Sequence, residues 1–368
     1  MAKNKNLTQA KKAKNDEFYT LISDIEKELK NYKKYFEGKV VYCNCDDPEE
    51  SNFWKFFELN FEEYKLKKLI STHYDAEKPT YKLELSADID GDGKITKGDI
   101  IKTPLKQNGD FRSEESINLL KESDIVVTNP PFSLFREYVA QLMKYKKKFL
   151  IIGNQNAITY KEIFPLIKDN KIWLGYRSSS GGGWFTVPKA YEQLVRSGKE
   201  KATWKDDNGT FLVNCPEVWF TNIPHNKRNE KLILTDKYDP KKYPKYDNYD
   251  AIEVGKVINI PKDYNGVMGV PISFLDKYNP EQFEIVALGN SRENFTPTKD
   301  YINPKKHMTN GNICNGNAIN QVLAINTKVK PIKTYYTSDN SDYLIAPYAR
   351  ILIKKKNENN TNKNKLAQ

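Results

Sequence analysis

The apolar residues of the chain follow two alternating patterns over its first half. One has the three- and four-residue spacing of a helix, as in residues 21–29. The other is a short continuous apolar run that ends at turn residues, as in residues 40–44 and 124–128. Runs of the second kind are typical of strands that are buried on both faces of a parallel sheet. The alternation of the two patterns predicts an α/β fold with helices on both faces of the sheet.

The predicted elements follow one another in regular order. Strands are predicted at residues 40–44, 66–72, 124–128 and 149–153, and helices from residue 21 to Gly38 and at residues 51–59, 114–121 and 134–145. Residues 76–104 interrupt this order and predict an inserted hairpin, with strands at 81–85 and 94–101.

The second half of the chain is richer in strands. Residues 172–175, 184–187 and 218–222 predict strands that could form the antiparallel edge of the same sheet. Residues 236–250 are dense in Tyr, Lys, Asp and Pro and are typical of a linker. We therefore predict a catalytic domain over residues 16–235 and an α+β C-terminal module over residues 236–353.

The charge of the chain is concentrated at its two ends. The 368 residues carry a formal net charge of +11, which favours a polyanionic partner. Residues 1–15 contain five Lys and no acid, and residues 354–368 contain five Lys and one Glu. We expect these to be disordered basic tails. Any specific groove for a polyanion must therefore come from local patches in the folded part.

The cysteine pattern argues against a structural metal site. The four Cys include no pair at two-residue spacing, and the chain has only three His. We expect reduced thiols and a cytoplasmic location, because there is no apolar signal segment and no run long enough to span a bilayer.

The motif with the most specific chemistry is Asn129-Pro130-Pro131-Phe132, directly after the strand predicted at residues 124–128. The two prolines lack N–H donors, so the turn offers the Asn129 side-chain oxygen and the Pro130 carbonyl as acceptors. Two fixed acceptors would bind the hydrogens of an exocyclic amine and make its nitrogen nucleophilic for a methyl transfer. Phe132 could stack on an extruded base. The alternative is a plain turn that ends a strand.

A second motif is rich in Asp. Asp88, Asp90, Asp92 and Asp99, with Lys94 between them, match the spacing of a calcium-binding loop. The flanks read as strands where a calcium-binding helix–loop–helix unit has helices, and Asp99 replaces the usual Glu. A hairpin with an Asp/Gly turn has the same pattern. Calcium is thus a possible ligand, without a catalytic role.

Aromatic residues downstream of the Asn129 turn are a third feature. Trp184 follows a run of three Gly, and Trp219 lies in a predicted strand. Either could provide the second face of a base-stacking clamp, but core packing is the commoner fate of a strand aromatic. We favour a core position for Trp219 and leave Trp184 open.

The chain resembles the EcoRI-type adenine-specific DNA methyltransferases. Most of residues 11–353 is covered, and the blocks that carry the resemblance are residues 14–20, 40–48, 109–113, 124–136 and 268–274. The resemblance implies a Rossmann-like S-adenosylmethionine-dependent methyltransferase sheet and a C-terminal target-recognition module.

The resemblance also implies a cofactor site. Phe18, Tyr19 and Thr20 correspond to the segment that covers the methionine end of S-adenosylmethionine. The loop after the first strand contributes Asn44, Cys45, Asp46 and Asp47, although Asp-Asp-Pro stands where related enzymes have a Gly-rich loop. Tyr74 would pack on the adenosine, and Asp110 would lie near the adenine amine of the cofactor.

Double-stranded DNA is the partner that the resemblance implies. We expect a monomer that flips its target adenine and forms the modification part of a restriction–modification system, beside an endonuclease that it does not bind. One alternative is an amino-methyltransferase that uses the same turn on RNA or on protein glutamine. A noncatalytic calcium- or DNA-binding protein is a third hypothesis, which the intact Asn129 turn disfavours.

Overall fold

The computed structural model describes residues 19–45, 47–49, 51–75, 80–177, 183–186, 189–198, 204–205, 211–290 and 295–356. Phe18 and Asp46, two of the predicted cofactor residues, lie outside these ranges, and Tyr19 is described through its backbone alone. The chain divides into two compact units. The first contains the described residues of Met1–Ala157 and Ile172–Asn226, and the second those of Ile158–Lys171 and Lys227–Gln368.

The first unit contains twelve described strands. They are β1 (Tyr19–Thr20), β2 (Val40–Cys45), β3 (Lys68–His73), β4 (Tyr81–Leu85), β5 (Ile101–Pro104), β6 (Ile125–Thr128), β7 (Lys148–Asn154), β8 (Trp173–Leu174), β9 (Gly183–Thr186), β10 (Trp204–Lys205), β11 (Phe211–Cys215) and β12 (Glu217–Thr221).

The described α-helices are distributed over both units. They are α1 (Ile22–Leu29), α2 (Asn52–Leu59), α3 (Glu114–Glu122), α4 (Phe135–Lys144), α5 (Phe164–Lys168) and α6 (Lys189–Arg196), and only α5 belongs to the second unit. A 3-10 segment, Lys30–Tyr35, continues α1, and Gly38 follows it with φ +71°. The predicted helices of the first half are confirmed to within a few residues.

The main sheet has eight strands in the order β5-β4-β3-β2-β6-β7-β12-β8. The four central strands, β3, β2, β6 and β7, are parallel to one another. The strands β4, β5 and β12 pair antiparallel with their neighbours, and β8 pairs antiparallel with β12. The fold is therefore mixed α/β, and β12 with β8 forms the antiparallel edge that the sequence predicts.

Two adjacent residues of β12 show how the sheet is covered. Successive side chains of a strand point to opposite faces. Trp219 contacts the ring of Phe53 in α2, with ring centroids 5.9 Å apart, whereas Phe220 contacts Phe135 of α4 at 5.1 Å. Helices α2 and α4 thus pack on opposite faces, and Trp219 is a buried core residue, as predicted.

One predicted edge strand belongs to a different sheet. The strand β9 pairs antiparallel with β1 and with β11 in a four-stranded sheet of order β1-β9-β11-β10. The prediction that residues 184–187 extend the main sheet is therefore wrong. The pairing also brings Thr20 opposite Phe185, across more than 160 residues of chain.

The inserted hairpin is present, but its second strand begins later than predicted. The strand β5 starts at Ile101, and Lys97–Asp99 forms a 3-10 turn instead of strand. Thr96 and Asp99 form a reciprocal capping box at this turn, because each side chain accepts a hydrogen bond from the backbone of the other end. The local capping chemistry overrides the apolar alternation that predicts a strand from residue 94.

The described residues of the second unit form two smaller sheets. Their strands are β13 (Ala251–Glu253), β14 (Val267–Pro271), β15 (Phe283–Leu288), β16 (Lys305–His307), β17 (Ile313–Asn315), β18 (Ile325–Thr327), β19 (Tyr335–Ser338), β20 (Ser341–Ile345) and β21 (Arg350–Lys355). The first sheet has the order β13-β14-β21-β15 and the second β17-β16-β19-β20-β18.

The boundaries of this unit differ from those expected from composition. Residues 236–250 are not a simple linker, because Tyr243 and Tyr246 are buried and Tyr246 belongs to the core cluster of the unit. The strand β21 includes Lys354 and Lys355, two residues of the segment that composition assigns to the basic tail. Within the described part of the chain, no helix is both long and apolar enough to cross a bilayer.

Candidate active site

The candidate site lies where the chain reverses the direction in which it adds strands. From β2 the chain adds β3, β4 and β5 on one side and then returns to place β6 on the other side of β2. In open α/β sheets, the crevice at such a switch point, outside the carboxyl ends of the strands, is where ligands bind. Asn44 stands at the carboxyl end of β2 and the Asn129 turn directly follows β6, so both lie beside this crevice.

The end of β2 is held by two hydrogen bonds from the neighbouring β6–α4 segment. The Thr128 hydroxyl donates to the Asn44 carbonyl, and the Tyr138 hydroxyl of α4 donates to the Asn44 side-chain oxygen. Burial raises the pKa of Tyr138, so its hydroxyl stays protonated and remains a donor. Asn44 is only 3% exposed, and Cys45 turns the chain with φ +80°.

The Asn129 turn joins β6 to α4. Asn129 is 4% exposed, and the 3-10 turn Phe132–Leu134 leads directly into α4. Phe132 is half-buried and packs against the core cluster that includes Phe53 and Trp219. The turn is therefore fixed on both sides, by β6 before it and by a helix after it, as preorganised acceptors require.

The loop that carries Asp110 reaches the same edge through a close backbone contact. A Cβ placed on Gly109, whose φ is +71°, would lie 1.9 Å from the carbonyl oxygen of His73 at the end of β3. The next ring, Phe111, contacts Tyr138 edge-on with centroids 5.0 Å apart. Asp110 is thus connected to the β3 end on one side and to Asn44 through Tyr138 on the other.

Asp110 is held in its ionised form by a neighbouring arginine. The Arg112 Nε donates to Asp110 Oδ1 at 2.9 Å, and Arg112 Nη2 donates to Oδ2 at 2.6 Å. These hydrogen bonds lower the pKa of Asp110. A carboxylate at this position is an acceptor for an amine such as the one on adenine.

The remaining loop residues contact the inserted hairpin. Asp47 Oδ1 accepts a hydrogen bond from the Tyr81 hydroxyl of β4 at 3.0 Å, and Asp47 Oδ2 lies 3.9 Å from His73 Nε2. The backbone carbonyl of Asp47 accepts from the Ser51 N–H at the start of α2. Tyr74, directly after β3, is 47% exposed and is available to a ligand at this edge.

Thr20 is anchored beside the same loop. Asn52 Nδ2, in the first turn of α2, donates to the Thr20 carbonyl at 2.7 Å. The Thr20 side chain is 5% exposed, and its hydroxyl has no hydrogen-bond partner among the described residues. A buried hydroxyl of this kind is suited to a polar ligand group.

A buried carboxylate connects α1 to the segment before β9. Glu28 is fully buried and accepts hydrogen bonds from the Tyr32 hydroxyl at 2.8 Å and from the backbone N–H groups of Tyr176 and Arg177, each at 2.7 Å. Arg177 also forms an ion pair with Asp24 of α1 at 2.9 Å. These contacts hold Tyr176 and Arg177 against α1, the helix that directly follows β1.

The Asp-rich loop lies beside the amino ends of the parallel strands, whereas the Asn129 turn lies beside their carboxyl ends. The strand β4 runs antiparallel to β3 and ends at Leu85, which pairs with Leu69 near the start of β3. The loop that follows contacts the end of α2, where Lys97 Nζ lies 3.8 Å from Glu58 Oε1. The structure therefore does not bring this loop to the Asn129 turn.

Three carboxylates of that loop converge, namely Asp88, Asp90 and Asp99. Asp99 accepts hydrogen bonds from the N–H groups of Ile89, Asp90 and Thr96, so the backbone of the loop already engages both of its oxygens. Asp92 accepts from the Lys94 N–H and stands outside the convergent group. Calcium binding by the loop stays a prediction of the sequence.

Three residues of the site escape sequence reasoning. Tyr138 has the helical spacing of a core residue, and its only polar signal is a hydroxyl on an otherwise apolar face. Gly109 stands in a Gly-Asp-Phe block, where a turn was foreseeable but the contact with His73 was not. Arg112 is two residues from Asp110, a spacing at which loop side chains pair readily.

Comparison with known proteins shows which family the chain belongs to. Residues 6–356 match the family model described as adenine-specific methyltransferase EcoRI. The chain belongs to this family. It is accordingly an adenine-specific DNA methyltransferase, and the resemblance inferred from the motif blocks is confirmed.

Curated relatives of this methyltransferase are type II methyltransferases. The chain is 53% identical over 298 residues to type II methyltransferase M.EcoRI of Escherichia coli, an alignment that covers 77% of this chain and 89% of the relative. It is 44% identical over 284 residues to type II methyltransferase M.MgeORF184P of Mycoplasma genitalium, covering 76% and 84%. It is 42% identical over 281 residues to type II methyltransferase M.MpnI of Mycoplasma pneumoniae, again covering 76% and 84%. No solved structure shows a significant match.

Proposed function

We propose that this methyltransferase modifies the exocyclic amine of an adenine within a specific sequence of double-stranded DNA, with Asn129 at the reacting centre. The observation that carries the proposal is the meeting of two loops at the switch point of the sheet. The Thr128 hydroxyl, one residue before Asn129, donates to Asn44 at the end of β2. The base-binding turn and the cofactor loop are thus adjacent.

The residues of the turn act on the amine of the base. The Asn129 side-chain oxygen and the Pro130 carbonyl accept its two hydrogens, and the nitrogen lone pair withdraws from the ring and becomes nucleophilic. The free side of Phe132 stacks on the extruded adenine. Because Asn129 is buried, bulk water is excluded and these hydrogen bonds are stronger than they would be in solvent.

The residues at the switch point fit S-adenosylmethionine. When bound, it supplies the methyl group as a sulfonium electrophile. Thr20 offers a buried hydroxyl, Asn44 stands at the end of β2 with Asp47 in the loop that follows, and Asp110 offers an ionised carboxylate to the adenine amine. Phe18, Tyr19, Cys45, Asp46 and Tyr74 complete the proposed set. The sheet would then be Rossmann-like, with the cofactor across the ends of its parallel strands.

The second unit is the proposed target-recognition module. Base edges in a groove of the duplex specify sequence, whereas contacts with phosphates fix the register of the protein. The type II naming of the relatives suits a modification enzyme of a restriction–modification system. The partner endonuclease would share the target sequence without direct contact.

The experiment is methyl transfer from labelled S-adenosylmethionine to duplex DNA, RNA and protein in parallel. We expect label in DNA alone and at the adenine N6. Label in RNA or in protein glutamine, with none in DNA, would replace the proposal by the alternative amino-methyltransferase. A shared Asn-Pro-Pro-Phe turn is compatible with either substrate, so this comparison decides between them.

The variant Asn129→Ala tests the assigned centre. Removing one of two preorganised acceptors should lower kcat by about 10²–10³-fold, while the affinity for S-adenosylmethionine in equilibrium dialysis changes little. Asn118→Ala, an exposed position on α3, is the matched control and should retain wild-type activity. Wild-type kcat in Asn129→Ala would remove Asn129 from the mechanism.

A further inference from the structure

The second unit contains a long stretch without acidic residues. Residues 301–338 include no Asp or Glu, although such residues make up 48 of the 368 in the chain. The same stretch contains five lysines: Lys305, Lys306, Lys328, Lys330 and Lys333. It is the longest acid-free run of the sequence, and it places positive charge in the folded part of the protein, where a polyanion can be bound specifically.

A two-stranded ribbon projects from this stretch. We define the β16–β17 ribbon as β16, β17 and the tip that joins them, residues 308–312. Among the described strands, β17 pairs with β16 alone, at the edge of the five-stranded sheet. Its three residues are all exposed, with Ile313 at 60%. The ribbon therefore extends beyond the core that supports the rest of the sheet.

The register assigns the ribbon residues to its two faces. Lys305 pairs with Asn315, and His307 pairs with Ile313, so these four side chains share one face. Lys306 points to the other face and lies over the ring of Tyr336, with its Nζ 5.9 Å from the centroid. Tyr336 belongs to a core cluster, whereas Lys305, Ile313 and Asn315 on the opposite face are exposed and available to a partner.

The ribbon is ordered before any partner binds. The His307 ring stacks on Tyr335 with centroids 4.5 Å apart and planes within 4°, and His307 Nε2 lies 3.0 Å from the Thr337 hydroxyl. In the tip, the Met308 N–H donates to the Asn312 carbonyl at 2.9 Å, and Gly311 turns the chain with φ +83°. Such preorganisation reduces the entropy lost on binding.

We propose that the β16–β17 ribbon enters the major groove of the DNA and reads base edges there, an inference that rests on the proposed action on duplex DNA. The major groove, about 12 Å wide, admits a two-stranded β-ribbon. The exposed side chains have the chemistry for base recognition. An Asn amide pairs with adenine, a Lys ammonium with guanine, and the Ile313 methyl groups can contact a thymine methyl.

The test maps the recognised sequence for variants of the full-length protein. Wild type, Asn312→Ala, Lys305→Ala and Ile313→Ser each methylate a pool of duplex DNA with randomised sequence, and modification-sensitive sequencing reports the context of each methylated adenine. For at least one variant, discrimination at one or two positions should fall by about tenfold to a hundredfold, the weight of one base contact. The remaining positions keep their wild-type preference.

Lys241→Ala is the matched control for loss of a surface charge. Lys241 is exposed in the same unit but lies in an Asp-containing segment. It should leave the recognised sequence and the rate unchanged. Because all substituted side chains are exposed, each variant should also keep the wild-type melting temperature and affinity for S-adenosylmethionine, which shows that the fold and the cofactor site are intact.

The outcomes separate the two levels of the proposal. If wild type labels no DNA, the proposed function is wrong and the ribbon inference falls with it. If wild type methylates one defined sequence and all three ribbon variants methylate the same sequence at the same rate, only the ribbon inference is overturned. A uniform loss of affinity without a change in sequence would likewise overturn base reading and assign the ribbon to the phosphates.

Discussion

Tyr138 donates its hydroxyl hydrogen to the side-chain oxygen of Asn44, and this bond joins the helix after the Asn129 turn to the end of β2. The two residues are 94 positions apart in the chain. The bond fixes the Asn44 side chain, and Tyr138 itself is not among the residues proposed to contact the cofactor or the base. We therefore infer that Tyr138, which its sequence periodicity classifies as a core residue, positions Asn44 in the proposed cofactor site.

Tyr138→Phe removes that donor and keeps the ring. We expect a loss of about 1–3 kcal/mol in the free energy of unfolding, because a buried acceptor loses its partner. The KM for S-adenosylmethionine should rise more than kcat falls, since Asn44 belongs to the proposed cofactor site. Steady-state kinetics and urea denaturation measure the two effects. Tyr145→Phe, just after the same helix, should change neither, and an unchanged KM in Tyr138→Phe would contradict the positioning role.

Gly109→Ala tests the close approach of the Asp110 loop to β3. The new Cβ would lie 1.9 Å from the His73 carbonyl, so the loop must move and carry Asp110 with it. We expect at least a tenfold loss of affinity for S-adenosylmethionine, measured by calorimetry. Gly38→Ala is a matched control, because Gly38 has the same φ of +71° and open space around the missing Cβ.

Both glycine variants share the cost of placing Ala in the left-handed region, about 1–2 kcal/mol. Only the Gly109 variant should lose cofactor affinity. Equal losses of affinity in the two variants would mean that general destabilisation, and not displacement of Asp110, is responsible.

The order of elements in the first half was predictable because local signals agree with the tertiary structure there. Continuous apolar runs define β2 and β6, and the Ser51 cap fixes the start of α2. The Asn129 turn was equally predictable, since two successive prolines remove two backbone donors and so end a strand. The start of β5 was misjudged because Ile95 and Ile100 pack on the core from a turn rather than from a strand.

The long-range partners could not be predicted from local pattern. Nothing in residues 183–186 indicates whether they extend the main sheet or pair with β1, because both choices satisfy the same alternation. Likewise, the short helix α5 is interposed between two strands of the first unit in sequence and yet belongs to the second. The Gly109–His73 contact also depends on packing of the whole hairpin side of the sheet.

Glu28→Gln should change how stability depends on pH. Burial raises the pKa of Glu28 in the folded protein, in spite of the hydrogen bonds from Arg177, Tyr32 and Tyr176 that lower it. The native state therefore holds the proton to higher pH than the unfolded state does, and its contribution to stability falls as pH rises through the folded pKa. Glutamine does not titrate, so the stability of the variant lacks this contribution to the pH dependence.

Chemical denaturation of wild type and Glu28→Gln over a pH series from below the usual Glu pKa to neutral measures this effect. The free energy of unfolding of wild type should exceed that of Glu28→Gln most at acid pH, and the difference should decrease as pH rises. A wild-type advantage that grows with pH would contradict the raised pKa.

Asp99→Ala tests what holds the Asp-rich loop together. Because Asp99 accepts three backbone hydrogen bonds, its loss should lower the melting temperature whether or not calcium is present. Methyl transfer should persist, since the loop lies beside the amino ends of the parallel strands. Scanning calorimetry with EDTA and with added calcium measures the melting temperature. Asp92→Ala is the comparison, and it should lower the melting temperature less because Asp92 accepts a hydrogen bond from Lys94 and stands outside the convergent group. Calcium that stabilises wild type and not Asp99→Ala would instead establish a metal site.

The pairing of β1 with β9 has a consequence for synthesis of the protein. A chain elongates at about 5–20 residues per second, so Thr20 waits many seconds on the ribosome before Phe185 emerges to pair with it. The segment proposed to cover the cofactor is thus translated first among the site elements, but its partner strand is translated after all the others. Competence to bind S-adenosylmethionine should appear in nascent chains only after β9 and β11 have left the exit tunnel, although every other residue of the proposed site has emerged by then.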